Sequence, residues 1–295
     1  MFKFRGALRA LKKNTGGTAM KKRSFAYAAT WAFIASAFMS LAQPASAQQT
    51  KPGIERMYVL YCGDIALNDA SSFTPGASGP GALTVTCYLI KHARGWVLFD
   101  TGVGDHIIDM PNGQKSRAGV WSVKKTLQSQ LAELGLKPSE INYVALSHSH
   151  GDHVGNLNLF PQSTLVVQKA EYEWKPPLGV SPFKPGMKAI TPDGDHDLFN
   201  DRSVVMIATH GHSPGHQNLL VRLPKTGAVM LTGDSVHTKA NWDGGRVPKR
   251  NFNVPQSLAA LERMRAVLKE AKAQLWIGHE TSEVPLRKYA PAYYD

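Results

Sequence analysis

A hexapeptide in the middle of the chain combines three imidazoles with one carboxylate: His148-Ser149-His150-Gly151-Asp152-His153. The whole chain of 295 residues has 11 histidines, so this stretch has the ligand density of a metal site. Neutral imidazole and carboxylate are the ligands that Zn²⁺ and its first-row neighbours prefer. The hexapeptide therefore predicts metal binding, against the alternative of a histidine-rich surface loop.

The spacing within the hexapeptide indicates two metals rather than one. Side chains repeat every second residue in an extended or tightly turned backbone, so His148 and His150 point the same way. Asp152 and His153 follow the turn at Gly151 and can face a second point nearby.

Three later residues of the same types, His216, Asp234 and His279, each lie at the end of a predicted strand. Loops at the ends of rigid strands can hold ligands accurately enough for a metal site. The resulting assignment places His148, His150 and His216 on one metal, Asp152, His153 and His279 on the other, and Asp234 between them.

The elements that must carry these residues alternate between strand-like and helical patterns. Helical spacing predicts helices from Val123 to Leu134 and from about Pro255 to Ala273. Each block of strands is followed by a helix and a short histidine-bearing strand end, which implies a pair of sheets with helices outside them. Short apolar or alternating runs predict strands at 57–62, 83–90, 96–99, 142–147, 165–168, 204–208, 218–222, 228–231 and 275–277.

The N-terminal 47 residues have the pattern of an export signal. They supply +8 of the net charge of +12, so the remainder of the chain is near +4. A basic start after Met20, an apolar run from Phe25 to Ala42 and small residues up to Ala47 predict a signal peptide cleaved after Ala47. We therefore expect a periplasmic or secreted protein, with Met20 as an alternative start. A membrane anchor is the competing interpretation, because the apolar run is near the lower limit for a span.

The mature part, residues 48–295, has no basic patch interleaved with aromatic residues, so nucleic acid is not an expected partner. Cys62 and Cys87 both lie in predicted strands. An oxidising compartment permits a disulfide between them, but a buried free cysteine also packs as a small hydrophobe. The sequence leaves this choice open.

The motifs together resemble those of the metallo-β-lactamase superfamily, and within it those of the acyl-homoserine lactonases. The resemblance covers essentially residues 55–295 and rests on Asp100-Thr101-Gly102, His148 to His153, His216, Asp234 and Gly278-His279. It implies an α/β fold, the four-layer αβ/βα sandwich, with a two-metal site in a cleft at one edge of the sheets. Residues 48–295 would then form one hydrolase domain.

The residue at position 234 bears on the subfamily. The Asp at this position is similar to the bridging Asp of dinuclear lactonases and glyoxalase II thioesterases, whereas true β-lactamases of this fold usually have Cys or Ser there. Many lactonases have a Tyr three residues later, where this chain has His237. We expect His237 to donate a hydrogen bond to the substrate, against the alternative of an ordinary supporting or surface histidine.

The other histidines receive supporting roles. His212 matches a family histidine that is not a ligand, and His210 replaces a family Pro, so both are expected to shape their loop. Asp100 is expected to orient a ligand histidine. Surface positions are predicted for His92, His106 and His196.

The resemblance implies opening of the lactone ring of N-acyl-homoserine lactones by a hydroxide shared between two divalent metals, with Zn²⁺ expected. Asp152 would be a ligand and a general acid in turn. The apolar acyl tail would lie among the loops 71–81 and 175–194, near Phe73, Trp174 and Phe183.

The expected partner is a small lactone, with no stable membrane span after signal cleavage. The oligomeric state stays open, a homodimer being one candidate. Alternatives on the same site are a glyoxalase II-like thioesterase, an organophosphate hydrolase and a broad-range lactonase. A non-catalytic periplasmic metal-binding protein is a further alternative.

Overall fold

The computed structural model describes residues 53–175 and 181–295. The predicted signal peptide, with its cleavage after Ala47 and its alternative start at Met20, lies outside these residues. The strands, in chain order, are β1 Ile54–Leu67, β2 Gly81–His92, β3 Gly95–Phe99, β4 Gln114–Lys115, β5 Gly119–Ser122, β6 Ile141–Ala145, β7 Thr164–Val166, β8 Ala189–Ile190, β9 His196–Asp197, β10 Val204–Ala208, β11 Gln217–Leu223, β12 Gly227–Leu231 and β13 Gln274–Trp276.

The strands form two sheets. The first has eight strands in the order β4-β5-β1-β2-β3-β6-β7-β8, and the second has five in the order β13-β12-β11-β10-β9. β6 runs parallel to both of its neighbours, β3 and β7, and β13 runs parallel to β12. The carboxyl ends of these parallel strands carry most of the predicted ligands.

The helices are α1 Leu127–Glu133, α2 Gly151–Val154, α3 Lys169–Tyr172, α4 Lys239–Asp243 and α5 Val254–Ala271. The helix predicted from Val123 begins at Leu127, because the side chain of Thr126 caps it by accepting a hydrogen bond from the Ser129 backbone N–H. Asn253 caps α5 in the same way, close to the predicted start. None of the described helices is long and apolar enough to cross a membrane.

Alternation along the strands builds three apolar layers. Met57 and Val59 of β1 point towards the second sheet, whereas Tyr58 and Leu60 point to the opposite face. The outer face of the first sheet packs against α1, and the outer face of the second packs against α5 through Leu261 and Met264. The order helix, sheet, sheet, helix is the predicted αβ/βα sandwich, which is confirmed.

Cys62 and Cys87 form a disulfide between β1 and β2, with their Cα atoms 5.9 Å apart. The two strands pair along most of their length, and Leu60 lies opposite Cys87. The alternative of two free cysteines is therefore excluded in this structure.

We predict that replacing both cysteines, Cys62→Ala with Cys87→Ala, lowers the free energy of unfolding by about 3 kcal/mol. The bond joins residues 25 positions apart, and its removal restores conformational entropy to the unfolded chain. Urea unfolding would measure the loss. Reductant should destabilise the wild type by a similar amount and leave the double variant unchanged; an unaltered midpoint in both would contradict the prediction.

Candidate metal centre

Loops from both sheets converge on one cluster of imidazoles and carboxylates. The loop after β6 and the short helix α2 bring His148 to His153, and the loop between β10 and β11 brings His212 and His216. Asp234 follows β12, and His279 follows β13. His216 immediately precedes β11, so the expectation that it closes a strand is wrong.

The carboxylate of Asp234 lies at the centre of the cluster and is 4% exposed. Its Oδ1 lies 3.0 Å from His153 Nε2 and 2.9 Å from His279 Nε2. Its Oδ2 lies 3.2 Å from His212 Nε2, 3.0 Å from His237 Nε2 and 3.7 Å from His148 Nε2. The two oxygens therefore face two different sets of imidazoles, as a bridging ligand must.

Within residues 53–175 and 181–295, three groups of side chains place their ligand atoms within 4.8 Å of one another. One agrees with the predicted set of Asp152, His153 and His279, where the Asp152 Oδ2 is 3.6 Å from each imidazole Nε2. The other two are His148, His150, His212 and Asp234, and Asp234, His237 and His279.

His212 and His216 differ from their predicted places. His212, expected to shape its loop, has its Nε2 3.0 Å from His150 Nδ1 and so joins the ligand atoms. The His216 ring lies beside His148, with centroids 5.2 Å apart, but its Nε2 accepts a 2.9 Å hydrogen bond from the Asp234 backbone N–H. His216 is thus at the centre without facing the carboxylate. The signal for His212 was its spacing of four residues from His216 in one tight loop.

Partners outside the ligand sets orient the imidazoles. The Nδ1 of His153 lies 2.8 Å from Asp100 Oδ2, the contact expected from the sequence, and the Nδ1 of His279 lies 2.9 Å from the Thr84 carbonyl. These contacts fix each ring so that its Nε2 faces Asp234. Asp100 also accepts hydrogen bonds from the backbone N–H and hydroxyl of Ser147.

The environment keeps one group of histidines neutral. Burial, followed by the neighbouring imidazoles of His153 and His150, holds the pKa of His148 well below its usual value. Burial and His212 lower the pKa of His150 to about 4 and hold the pKa of His216 well below its usual value. Neutral imidazoles are the form that binds metals.

Two histidines beside the carboxylates have raised pKa values instead. Burial alone would lower the pKa of His153, but Asp234, Asp100 and Asp152 outweigh it and raise this pKa well above its usual value. Asp234 likewise raises the pKa of His279 against the effect of burial. Burial would raise the pKa of Asp234 itself, yet His237, His153 and His279 hold it well below its usual value.

The donor set fits divalent cations. Asp234 Oδ1 and both ring nitrogens of His237 are buried without a hydrogen-bond partner. His153 Nε2 and His279 Nε2 lie 3.3 Å apart, so both can reach one cation. Buried polar atoms are rarely left unpaired, and cations beside Asp234 would satisfy its Oδ1 and the Nε2 atoms that face this carboxylate.

Aromatic side chains surround the cluster on two sides. The Phe73 ring lies 5.2 Å from that of His237, and the Trp174 ring lies 6.4 Å from that of His150. Phe183 instead stacks on Tyr172 within the core, so its expected place near the acyl tail is wrong. Residues 176–180, part of the loop 175–194 that is expected to contact the acyl tail, lie outside the described residues.

The remaining histidines lie away from the cluster. His106 is exposed and His196 half-buried, whereas His92 is 1% exposed, so its predicted surface position is wrong. The His92 ring stacks on Phe199 and its Nε2 contacts Asp201 at 2.9 Å. His210 Nδ1 donates to the Pro214 carbonyl within its loop, as a loop-shaping residue would.

Known proteins share this architecture over almost their full length. A relative from Azorhizobium caulinodans, the N-acyl homoserine lactonase AttM, is 30% identical over 81% of this chain and 98% of its own length. An N-acyl homoserine lactonase from Bacillus cereus is 28% identical over 81% of this chain and 99% of its own. The matching part of this chain therefore spans nearly the whole length of each of these relatives.

Solved structures of lactonases have a similar fold. A quorum-quenching N-acyl homoserine lactone lactonase superposes with a TM-score of 0.72 at 26% identity, covering 83% of this chain and 100% of its own. An N-acyl homoserine lactone hydrolase with N-hexanoyl-L-homoserine bound at its catalytic metal centre superposes with a TM-score of 0.71 at 27% identity. The superposition covers 81% of this chain and 99% of that chain. The family model of the metallo-beta-lactamase superfamily matches residues 80–274. With the four-layer fold and the ligand-bearing loops, this match shows that the chain belongs to the metallo-β-lactamase superfamily.

Proposed function

We propose that this protein is a metal-dependent hydrolase that opens the lactone ring of N-acyl-homoserine lactones. The observation that carries the proposal is the Asp234 carboxylate, whose two oxygens face separate imidazole sets 2.9 to 3.7 Å away. Such an arrangement suits two cations that share a ligand. The lactonases that resemble this chain along nearly their whole length supply the substrate class.

Two divalent cations at this centre, Zn²⁺ by the preference of the ligands, would supply a water of lowered pKa and polarise the lactone carbonyl. By the positions of their ligand atoms, the residues that would hold them are His148, His150, His212, Asp152, His153, His279 and the shared Asp234. His216, expected from the sequence, would join them only by giving up the hydrogen bond that its Nε2 accepts from the Asp234 backbone N–H. Hydrolysis adds water across the ring C–O bond and yields an N-acyl-homoserine.

Two side chains are placed for the proton and hydrogen-bond steps. Asp152 is 9% exposed and is the ligand carboxylate more open to solvent, so it suits proton donation to the departing ring oxygen. His237 has two ring nitrogens without hydrogen-bond partners, and a donor there would stabilise negative charge on the carbonyl oxygen.

An apolar rim near the centre suits an acyl tail. Trp174 lies between His150 and Phe252, with its ring 6.3 Å from that of Phe252. Phe252 is 58% exposed, and its backbone N–H donates to the His212 carbonyl. Exposed aromatic area beside a polar centre is where a tail would lose contact with water.

We further propose that the protein acts after export, in the periplasm or outside the cell, without its first 47 residues. The disulfide between Cys62 and Cys87 supports this location, because such bonds persist in oxidising compartments.

We predict that purified residues 48–295 with Zn²⁺ hydrolyse N-acyl-homoserine lactones faster than a simple thioester or an aryl phosphate. Acyl chains of several lengths would be compared by following the acid released on ring opening. Protein stripped with chelator is the control and should be inactive until metal returns. A larger kcat/KM for the thioester or the phosphate would reject the lactonase assignment in favour of that activity.

We predict that the two cations bind with different proton release. Because the pKa of His153 is raised well above its usual value, this imidazole is protonated at pH 7 without metal, and a cation must displace the proton. His148 and His150, whose pKa values are lowered, have none to release. Binding at Asp152, His153 and His279 should therefore weaken as pH falls towards 6. Calorimetric titration in buffers of different ionisation enthalpy would measure this, and equal proton release by both cations would contradict it.

We predict that His237→Ala keeps two metals per chain but lowers kcat on the order of 100-fold, the loss typical of removing one donor to an oxyanion. Metal analysis and steady-state kinetics would be run together, with exposed His106→Ala as the matched control. Loss of one metal would instead make His237 a ligand, in agreement with its grouping with Asp234 and His279. Unchanged kinetics would leave it without a role in the reaction.

A further inference from the structure

Glu171 is a fully buried acidic side chain, 0% exposed, that the proposed reaction does not use. It lies in the short helix α3, on an element that contributes no predicted ligand. Charged side chains are almost never completely buried unless their oxygens are satisfied. The partners of Glu171 therefore indicate what this carboxylate does.

The first oxygen of Glu171 binds the loop after β6. Oε1 accepts a 2.9 Å hydrogen bond from the Ser149 backbone N–H and a 2.5 Å hydrogen bond from the Ser149 hydroxyl. Ser149 lies between His148 and His150 in the chain, and its side chain points away from theirs. Both bonds thus fix the backbone at the midpoint of a ligand pair.

The second oxygen binds the loop between β10 and β11. Oε2 accepts a 2.6 Å hydrogen bond from the Ser213 hydroxyl and a 2.9 Å hydrogen bond from the Gly215 backbone N–H. These residues lie between His212 and His216. A Cβ at position 215 would come within 2.2 Å of the Glu171 backbone nitrogen, so only glycine permits this approach.

One carboxylate thus joins two loops that are distant in sequence through four donors, of which the Ser213 and Gly215 pair is buried and the Ser149 pair is half-buried. A carboxylate is the side chain suited to this place, because both of its oxygens accept hydrogen bonds and neither must donate. An amide would turn an N–H₂ group towards two donors, and a shorter side chain would not reach both loops. Leaving one of these buried donors unpaired costs about 1–3 kcal/mol.

We propose that Glu171 is the positioning residue that sets the distance between the two loops and thereby controls the occupancy of one metal position only. The proposal rests on the dinuclear centre proposed above. The loops it joins carry His148 and His150 on one side and His212 and His216 on the other. The remaining set, Asp152, His153 and His279, depends on other partners, among them Asp100 and the Thr84 carbonyl.

The test is the binding of Co²⁺ to full-length mature protein carrying Glu171→Gln. Gln keeps the size of the side chain and one acceptor oxygen, but replaces the other oxygen by a donor. Chelator competition, followed through the visible absorption of bound Co²⁺, should show one site weakened about 10- to 100-fold and the other unchanged. At saturating Co²⁺ the spectrum should regain the second site.

Two further sets of variants separate positioning from folding. Ser149→Ala and Ser213→Ala each remove one hydroxyl donor and leave the backbone bonds, so each should weaken the same site by less than Glu171→Gln does. Gln130→Ala is the matched control: Gln130 is also buried and bridges two elements, through the Tyr61 backbone, but touches no ligand loop. It should lower thermal stability without changing either Co²⁺ affinity.

The outcomes distinguish this proposal from the proposed activity. Selective weakening of one site in a protein that opens no lactone would support the role of Glu171 and reject the substrate. Two unchanged Co²⁺ sites in Glu171→Gln, or equal weakening of both, would overturn the positioning role whatever the enzyme hydrolyses. A wild-type protein that binds fewer than two Co²⁺ would overturn the positioning role together with the dinuclear centre.

Discussion

The structure depends on one buried carboxylate that is shared by two sets of imidazoles. Removing the Asp234 carboxylate from water is costly, and the cost is offset only if positive or donating groups surround both oxygens. The imidazoles of His153 and His279 lie at Oδ1 and those of His212 and His237 at Oδ2, where protons or shared cations would compensate the charge. Those side chains come from separate loops, so the whole sandwich must fold before the carboxylate is compensated.

The two sheets divide this task between them. The first sheet provides His148 to His153 and Asp100, and the second provides His212, His216, Asp234 and His279. The apolar layer between the sheets, which includes Met57, Val59 and Leu219, sets how far apart the two halves of the centre lie. Close packing makes this distance stiff, because interiors tolerate little change in volume. The core between the sheets is thus part of what defines the metal geometry.

The sequence alone predicts those features of the fold and the site that depend on residues close together in the chain. The hexapeptide from His148, the periodicity of α5 and the long strands β1 and β2 each follow from neighbouring residues. The contacts of Glu171 with two loops, the joining of His212 to His150 and the burial of His92 against Phe199 arise from residues that are distant in sequence. A single sequence provides no spacing rule for such contacts. The choice between a disulfide and two free cysteines stayed open for the same reason, because it depends on the register in which β1 pairs with β2.

Each ligand set has its own buried carboxylate outside the ligands, and the two act by different physical means. Asp100 contacts the ligand imidazole of His153 directly, so it fixes which nitrogen carries the proton and raises the pKa of that ring. Glu171 contacts only serine hydroxyls and backbone N–H groups between ligands. It cannot tune a ligand's charge and acts only on where the loops lie. The centre thus separates the control of protonation from the control of distance, because the two carboxylates share no contact with the same ligand loop residue.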